Sequence, residues 1–140
     1  MKTQQISIFI ENRGGRLAEV TALLADRGIN LRALSVADTS NYGVLRIIVD
    51  HPQAVIEILK SHGLTASVTT VLTVLVPDHP GALADVLGRL RQHGMDVEYL
   101  YTFFSGTDRA ALVLRVADPD EAEKILTAAG YEGLKGLPTE

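Results

Sequence analysis

The chain has 140 residues, a formal net charge of −4, 46% hydrophobic and 21% charged residues, and no cysteine. That is the balance of a globular, water-soluble protein of one ordinary domain or two small ones, with no disulfide, thiolate metal ligand or cysteine nucleophile. The charge disfavours a broad nucleic-acid surface, no apolar run is long enough to span a membrane, and the start "MKTQQISIFIENRGG" is too weakly apolar for a secretory signal, so a cytoplasmic location is expected.

In chain order, Ile6, Ile8 and Ile10 alternate with other residues and predict a strand. A helix is expected from about Arg16 to Arg27, with Leu17, Val20 and Leu24 on one face and Gly28 as its stop. "NLRALSVA", a turn at Ser40-Asn41-Tyr42-Gly43, and "VLRIIVD" read as a hairpin. Pro52 opens a second helix with Val55, Ile58 and Leu59 inward and Gly63 closing it. "TASVTTVLTVLV" (65–76) is strand-like throughout. After "PDHPG", Leu83, Val86, Leu87 and Leu90 recur at helical spacing. The aromatic run "YLYTFF" (99–104) and "ALVLRVAD" predict two more strands. The run fits core and interface packing first, and a ligand pocket second. Asp118 is the expected N-cap of a last helix, with Pro119 at its first position and Glu121 three residues after the cap.

The chain states one pattern twice. Residues 12–36 align with 78–102 at an offset of 66, and 49–64 with 116–131 at 67. Matches include Gly15/Gly81, Leu17/Leu83, Leu24/Leu90, Gly28/Gly94, Pro52/Pro119, Leu59/Leu126 and Gly63/Gly130. Each copy reads strand, helix, strand, strand, helix, strand. The units are 1–69 and 70–140, and residues 65–76 must serve both as the last strand of one and the first of the other. Only "YEGLKGLPTE" remains for the second copy's last strand, which should be short or absent. Because "TTVLTVLV" and "AALVLRV" are apolar on both faces while two helices cover one, the uncovered face is expected to meet another chain.

The repeated loop carries the chemistry. The first backbone N–H groups of a helix lack intrahelical partners and sit at its positive end, so a carboxylate docks there, most readily beside glycine. Asp78, just before those donors, suits an ammonium. Asn12 holds the same place in the first copy, with Arg13 and Arg16 nearby. The competing reading makes Asn12 and Asp78 ordinary helix caps.

The βαββαβ pattern, the "ENRGGRL" and "DHPGAL" loops, and "RGIN" and "HGMD" after the first helices resemble the ACT domain over residues 4–131. The resemblance implies two ferredoxin-like α+β units with antiparallel sheets and helices on one face. It further implies allosteric binding of amino acids at interfaces between paired domains, where the loop before the first helix of one faces the second strand of its partner. The two copies are then expected side by side with merged sheets. By position, Asn12 and Asn30 match asparagines that hold ligand in serine-responsive members, Asp78 and Asp96 stand there in the second copy, and Gly15 and Gly81 match the loop glycine. The implied ligand set is Asn12, Arg13, Gly15, Leu17, Asn30, Asp78, His79, Gly81, Leu83 and Asp96. There are departures. Gly14 stands where the second copy has Pro80, Ile10 and Val76 replace a histidine of serine-responsive members, and the two aspartates change the charge of the second site.

Rival chemistries are weaker. His79 and His93 lie about 21 Å apart along a helix axis, and His51 and His62 about 16 Å, so neither pair chelates one ion. No nucleophile–base pair accompanies Arg13. "VLRIIVD" and "ALVLRVAD" lack the aromatics of RNA-binding sheets. The expectation is a non-catalytic homodimer with no cofactor or metal. It would bind a free amino acid and act on a metabolic enzyme, without nucleic acid or membrane. The alternative is a small regulatory or structural subunit with little ligand binding of its own, since residues 6–37 also resemble the opening of the acetohydroxyacid synthase small subunit.

Overall fold

The computed structural model describes residues 1–38, 41–104 and 108–139, with Phe104 described as backbone only. The described residues form β1 (Lys2–Glu11), α1 (Arg16–Asp26), β2 (Ala33–Asp38), β3 (Tyr42–Ile48), α2 (Pro52–Ser61), β4 (Thr65–Pro77), α3 (Ala82–Gln92), β5 (Val97–Phe104), β6 (Arg109–Val116) and α4 (Pro119–Ala128). The expected turn at Ser40 lies partly outside the described residues. The chain divides into two compact units, one of Gln4–Thr69 and the other of Met1–Thr3 with Thr70–Thr139.

In the first unit the strands run β2-β3-β1, antiparallel, with Ile6 opposite Ile47 and Ile8 opposite Leu45. Strand side chains alternate between faces, so Ile6, Ile8, Ile10, Leu45, Ile47 and Val49 share one face. They are buried there with Val20 and Leu24 of α1 and Val55, Ile56 and Leu59 of α2. Both helices therefore cover the same side. Two inward residues were misassigned by helical spacing alone. Ile56 is buried where Ile58 was expected, Ile58 being only half-buried, and Leu17 is 41% exposed.

The second unit repeats this with β4-β6-β5, pairing Leu72 with Leu114 and Val74 with Leu112. Its core is Leu72, Val74, Val76, Leu112, Leu114 and Val116 under Val86, Leu90, Ala122, Ile125 and Leu126. Val86 and Leu90 correspond to Val20 and Leu24, and Leu126 to Leu59, so the repeat is a repeat of core positions. Asp118 caps α4 as expected, its Oδ1 accepting the Glu121 N–H at 3.0 Å. His51, in the equivalent place before α2, gives no side-chain cap.

Part of the other face of this unit is buried too. Val71, Thr73, Ala111 and Val113 are all buried in the single chain, so their burial requires no second chain, contrary to the expectation from their apolar character. The C-terminal segment lies on that face. The Leu134 N–H donates to the Thr73 hydroxyl at 3.1 Å, and the Thr3 hydroxyl donates to the Pro138 carbonyl at 2.6 Å. One isolated bridge, Leu75 to Glu132, joins this segment to β4. Met1 completes the arrangement. Its carbonyl accepts the Thr73 N–H at 2.9 Å and its ammonium pairs with Glu123 at 3.0 Å.

Two stability outcomes follow. Asp118→Ala should cost about 0.5–2 kcal/mol in urea denaturation, and His51→Asp should gain about 0.5–1 kcal/mol by giving α2 the cap that α4 has. Removing residues 133–140 should uncover Thr73 and Val113, raising dye binding and speeding amide exchange at Thr73 while exchange in α1 stays unchanged.

Candidate functional site

Each loop that precedes a first helix is built by the same main-chain bonds. Asn12 N–H donates to the Asn41 carbonyl at 3.4 Å, and Asp78 N–H to the Asp108 carbonyl at 3.0 Å. These pin the loops to the turns between the second and third strands of their own units. Arg13 N–H to Glu11 O at 2.8 Å is matched by His79 N–H to Pro77 O at 3.0 Å. Gly15 and Gly81 then take φ of 80° and 91°, in the left-handed region that an L side chain resists. These glycines are the N-caps, and no side chain caps either helix. Asn12 and Asp78 are therefore not ordinary caps. Among the described residues, no side-chain acceptor caps the first-turn N–H groups of either helix.

A cleft opens beside each loop, about 240 Å³ in the first unit and about 220 Å³ in the second. The linings correspond by position. Ile10, Glu11, Asn12, Arg13, Leu17, Val36 and Gly43 line the first. Val76, Pro77, Asp78, His79, Leu83, Thr102 and Ala110 line the second. Asp38 also lines the first, and Phe103, Ala82 and Leu112 the second. The exposure of Leu17 and Leu83 has its explanation here, since both form cleft walls.

Of the expected ligand set, Asn12, Arg13 and Leu17 meet in one cleft and Asp78, His79 and Leu83 in the other. Gly15 and Gly81 shape the loops. Asn30 stands beyond the far end of α1, about 16 Å away by helical rise, in a separate 290 Å³ pocket with Asp50, His51 and Ile58. Asp96 holds the corresponding place after α3 and is exposed. Sequence reasoning missed Val36, Asp38 and Thr102. Applying the offset of 66 to the second strand as well as to the loop would have paired Val36 with Thr102.

The electrostatics of the two loops differ. In the first, Glu19 receives Arg13 Nη1 and Nη2 at 3.2 and 3.1 Å and Arg16 Nη1 at 3.0 Å. Hydrogen bonds from Arg16 and then Arg13 hold the Glu19 carboxyl below the usual glutamate range. In the second, Asp85 corresponds to Glu19 but turns away from the loop. It accepts from the Tyr131 hydroxyl and from Arg89 Nε at 2.9 Å, and both bonds lower its pKa. The Arg89 guanidinium lies 6.0 Å from the Tyr131 ring centre. Asp78 makes no ion pair among the described residues. No three potential metal ligands cluster among those residues. His62 and His93 cap helix ends, each with Nδ1 2.9 Å from a carbonyl.

A family model described as an ACT domain pair matches residues 1–132. The chain belongs to the ACT domain-pair family. It is similar to protein BT0572 from Bacteroides thetaiotaomicron, with 37% identity over 99% of this chain and 94% of that one and a TM-score of 0.90. The regulatory subunits of aspartate kinase from Thermus thermophilus and Thermus flavus share the fold. Their identities are 17% and 18%, with TM-scores of 0.65 and 0.66, and the matches cover 91% and 93% of this chain and 92% and 94% of theirs. No curated protein matches it. No helix among the described residues of this ACT pair is long and apolar enough to cross a membrane.

Because the folded pKa of Glu19 is depressed, the Arg13–Glu19 clamp contributes above the unfolded glutamate value and is lost as pH falls through the folded one. An NMR titration should place the Glu19 carboxyl midpoint below that of an unpaired glutamate. The Arg13 side-chain resonances should move with the same midpoint.

Proposed function

We propose that this ACT pair is a non-catalytic regulatory protein that binds a free amino acid in the loop clefts and passes the change to a metabolic enzyme. The observation that carries this reading is the cleft itself, which occurs twice with corresponding linings. Core positions recur in any duplicated fold, but an open cleft at the same loop is not needed for packing. Its parts suit a zwitterion. Uncapped helix N–H groups beside a left-handed glycine accept a carboxylate, Asp38 or Asp78 suits the ammonium, and Leu17 or Leu83 covers an apolar side chain. Membership of the ACT family and the likeness in fold to aspartate kinase regulatory subunits support a regulatory role.

The ligand acts by differential affinity. Whichever arrangement of loop and strand binds it better gains population, and a ligand with equal affinity for both arrangements changes nothing. A homodimer in the cytoplasm is part of the proposal. It is supported by β2 standing last in the strand order with Leu34 and Val36 half-exposed at 53% and 50%, since an apolar edge strand is a pairing surface. Light scattering should report a dimer that Leu34→Asp with Val36→Asp converts to monomer.

A thermal-shift panel of the twenty amino acids at millimolar concentration tests the ligand. A ligand at a hundred times its Kd stabilises by about 2.7 kcal/mol, a shift of roughly 5–10 °C in a chain of this size. Asn12→Ala or Asp78→Ala should shrink the shift. A melting temperature unmoved by all twenty would reject the reading.

A further inference from the structure

We infer that the two clefts select amino acids by different side chains, with Val36 and Thr102 making the choice. The first takes an apolar aliphatic side chain and the second one that forms hydrogen bonds. This rests on the reading of both clefts as sites for a free amino acid, and adds which class each prefers. Charged groups border both clefts, Glu11, Arg13 and Asp38 the first and Asp78 with the His79 imidazole the second. They meet the ammonium and carboxylate that all amino acids share, so they do not separate one uncharged amino acid from another. That separation falls to the floor, formed by the sheet and the first turn of the helix. Ile10, Leu17, Val36 and Gly43 form it in the first unit, and Val76, Leu83, Thr102 and Ala110 hold the same places in the second.

Size does not discriminate. The methylene lost from Ile10 to Val76 is offset by the methyl gained from Gly43 to Ala110, and the volumes stay near 240 and 220 Å³. Leu17 and Leu83 are identical. What remains is position 36 against 102, where valine and threonine share a branched shape and differ by a hydroxyl in place of a methyl. Val36 stands opposite Leu45 and Thr102 opposite Leu112. Those leucines are buried under the helices, so strand alternation turns Val36 and Thr102 to the cleft side of their sheets. Both belong to edge strands and are open to a visitor, Val36 at 50% and Thr102 also exposed. The Thr102 hydroxyl makes no hydrogen bond among the described residues, so it is available both to donate and to accept. Val36 offers only methyl groups, against which an aliphatic side chain removes apolar surface from water.

The test titrates the ¹⁵N-labelled full chain with the twenty amino acids and compares two near-isosteric pairs, valine with threonine and leucine with asparagine. Amide signals of Asn12 and Val36 report the first cleft, and those of Asp78 and Thr102 the second. The first should bind valine and leucine more tightly and the second threonine and asparagine, each by about two- to tenfold. Thr102→Val should abolish the second cleft's preference and leave the first's untouched, and Val36→Thr should do the converse. Both exchanges lie at exposed positions and keep the β-branched shape, so the spectra without ligand should otherwise stay as they are. Both clefts ranking the pairs alike, rankings that survive the exchanges, or binding at one cleft only would overturn the inference while leaving a ligand site. So would binding restricted to charged or aromatic amino acids. Silence to all twenty would overturn the inference together with the reading beneath it.

Discussion

Everything distinctive about this chain depends on one backbone requirement, met twice. A strand must turn into a helix within a few residues, and the turn uses a glycine at positive φ just before the first helical residue. A side chain at Gly15 or Gly81 would find open space, so the constraint is conformational and not steric. Because a glycine is the cap, the helix starts without a side-chain oxygen over its donors. The asparagine or aspartate three residues earlier lines the cleft and is not the helix cap. The loop's position follows from the bonds that tie it to the neighbouring turn, and the cleft follows from the loop's position.

The duplication makes the two units an internal comparison. Where they agree, in the cores and in the main-chain bonds of the loops, the residues serve the fold. Where they differ, the fold tolerates both answers and the difference falls on what the loops present. Asn12 becomes Asp78, Arg13 becomes His79, and the acid on the first helix changes partners. Surface ion pairs of this kind contribute little to stability. Their rearrangement changes the surface that the loops present, not how the chain stays folded.

The fold was legible to a large degree because its signals are local: alternation in β1, glycine stops, and a Pro with an Asp cap before α4. The repeat then supplied the long-range arrangement that local signals lack. Leu17 was misread because helical spacing cannot distinguish a residue that faces a core from one that faces a cleft at the same end of the helix. The strand residues of the clefts were missed because strand order and register decide which of them reach the loop. Asn30 and Asp96 came from likeness of motif, and within one unit a full helix separates each from its loop partner. The C-terminal segment has no periodicity to read, and its place on the sheet depends on a few hydrogen bonds to Thr3 and Thr73.

The allocation of Met1–Thr3 to the unit made by residues 70–139 has a consequence for the order of synthesis. Residues Gln4–Thr69 hold their contacts within themselves, but Met1 bonds to Thr73 and pairs with Glu123, both of which follow them in the chain. The contacts that close the second unit thus join residues 72 to 135 positions apart, the slow, non-local class of folding event. Residues 1–3 thus find their place after the unit that follows them in sequence.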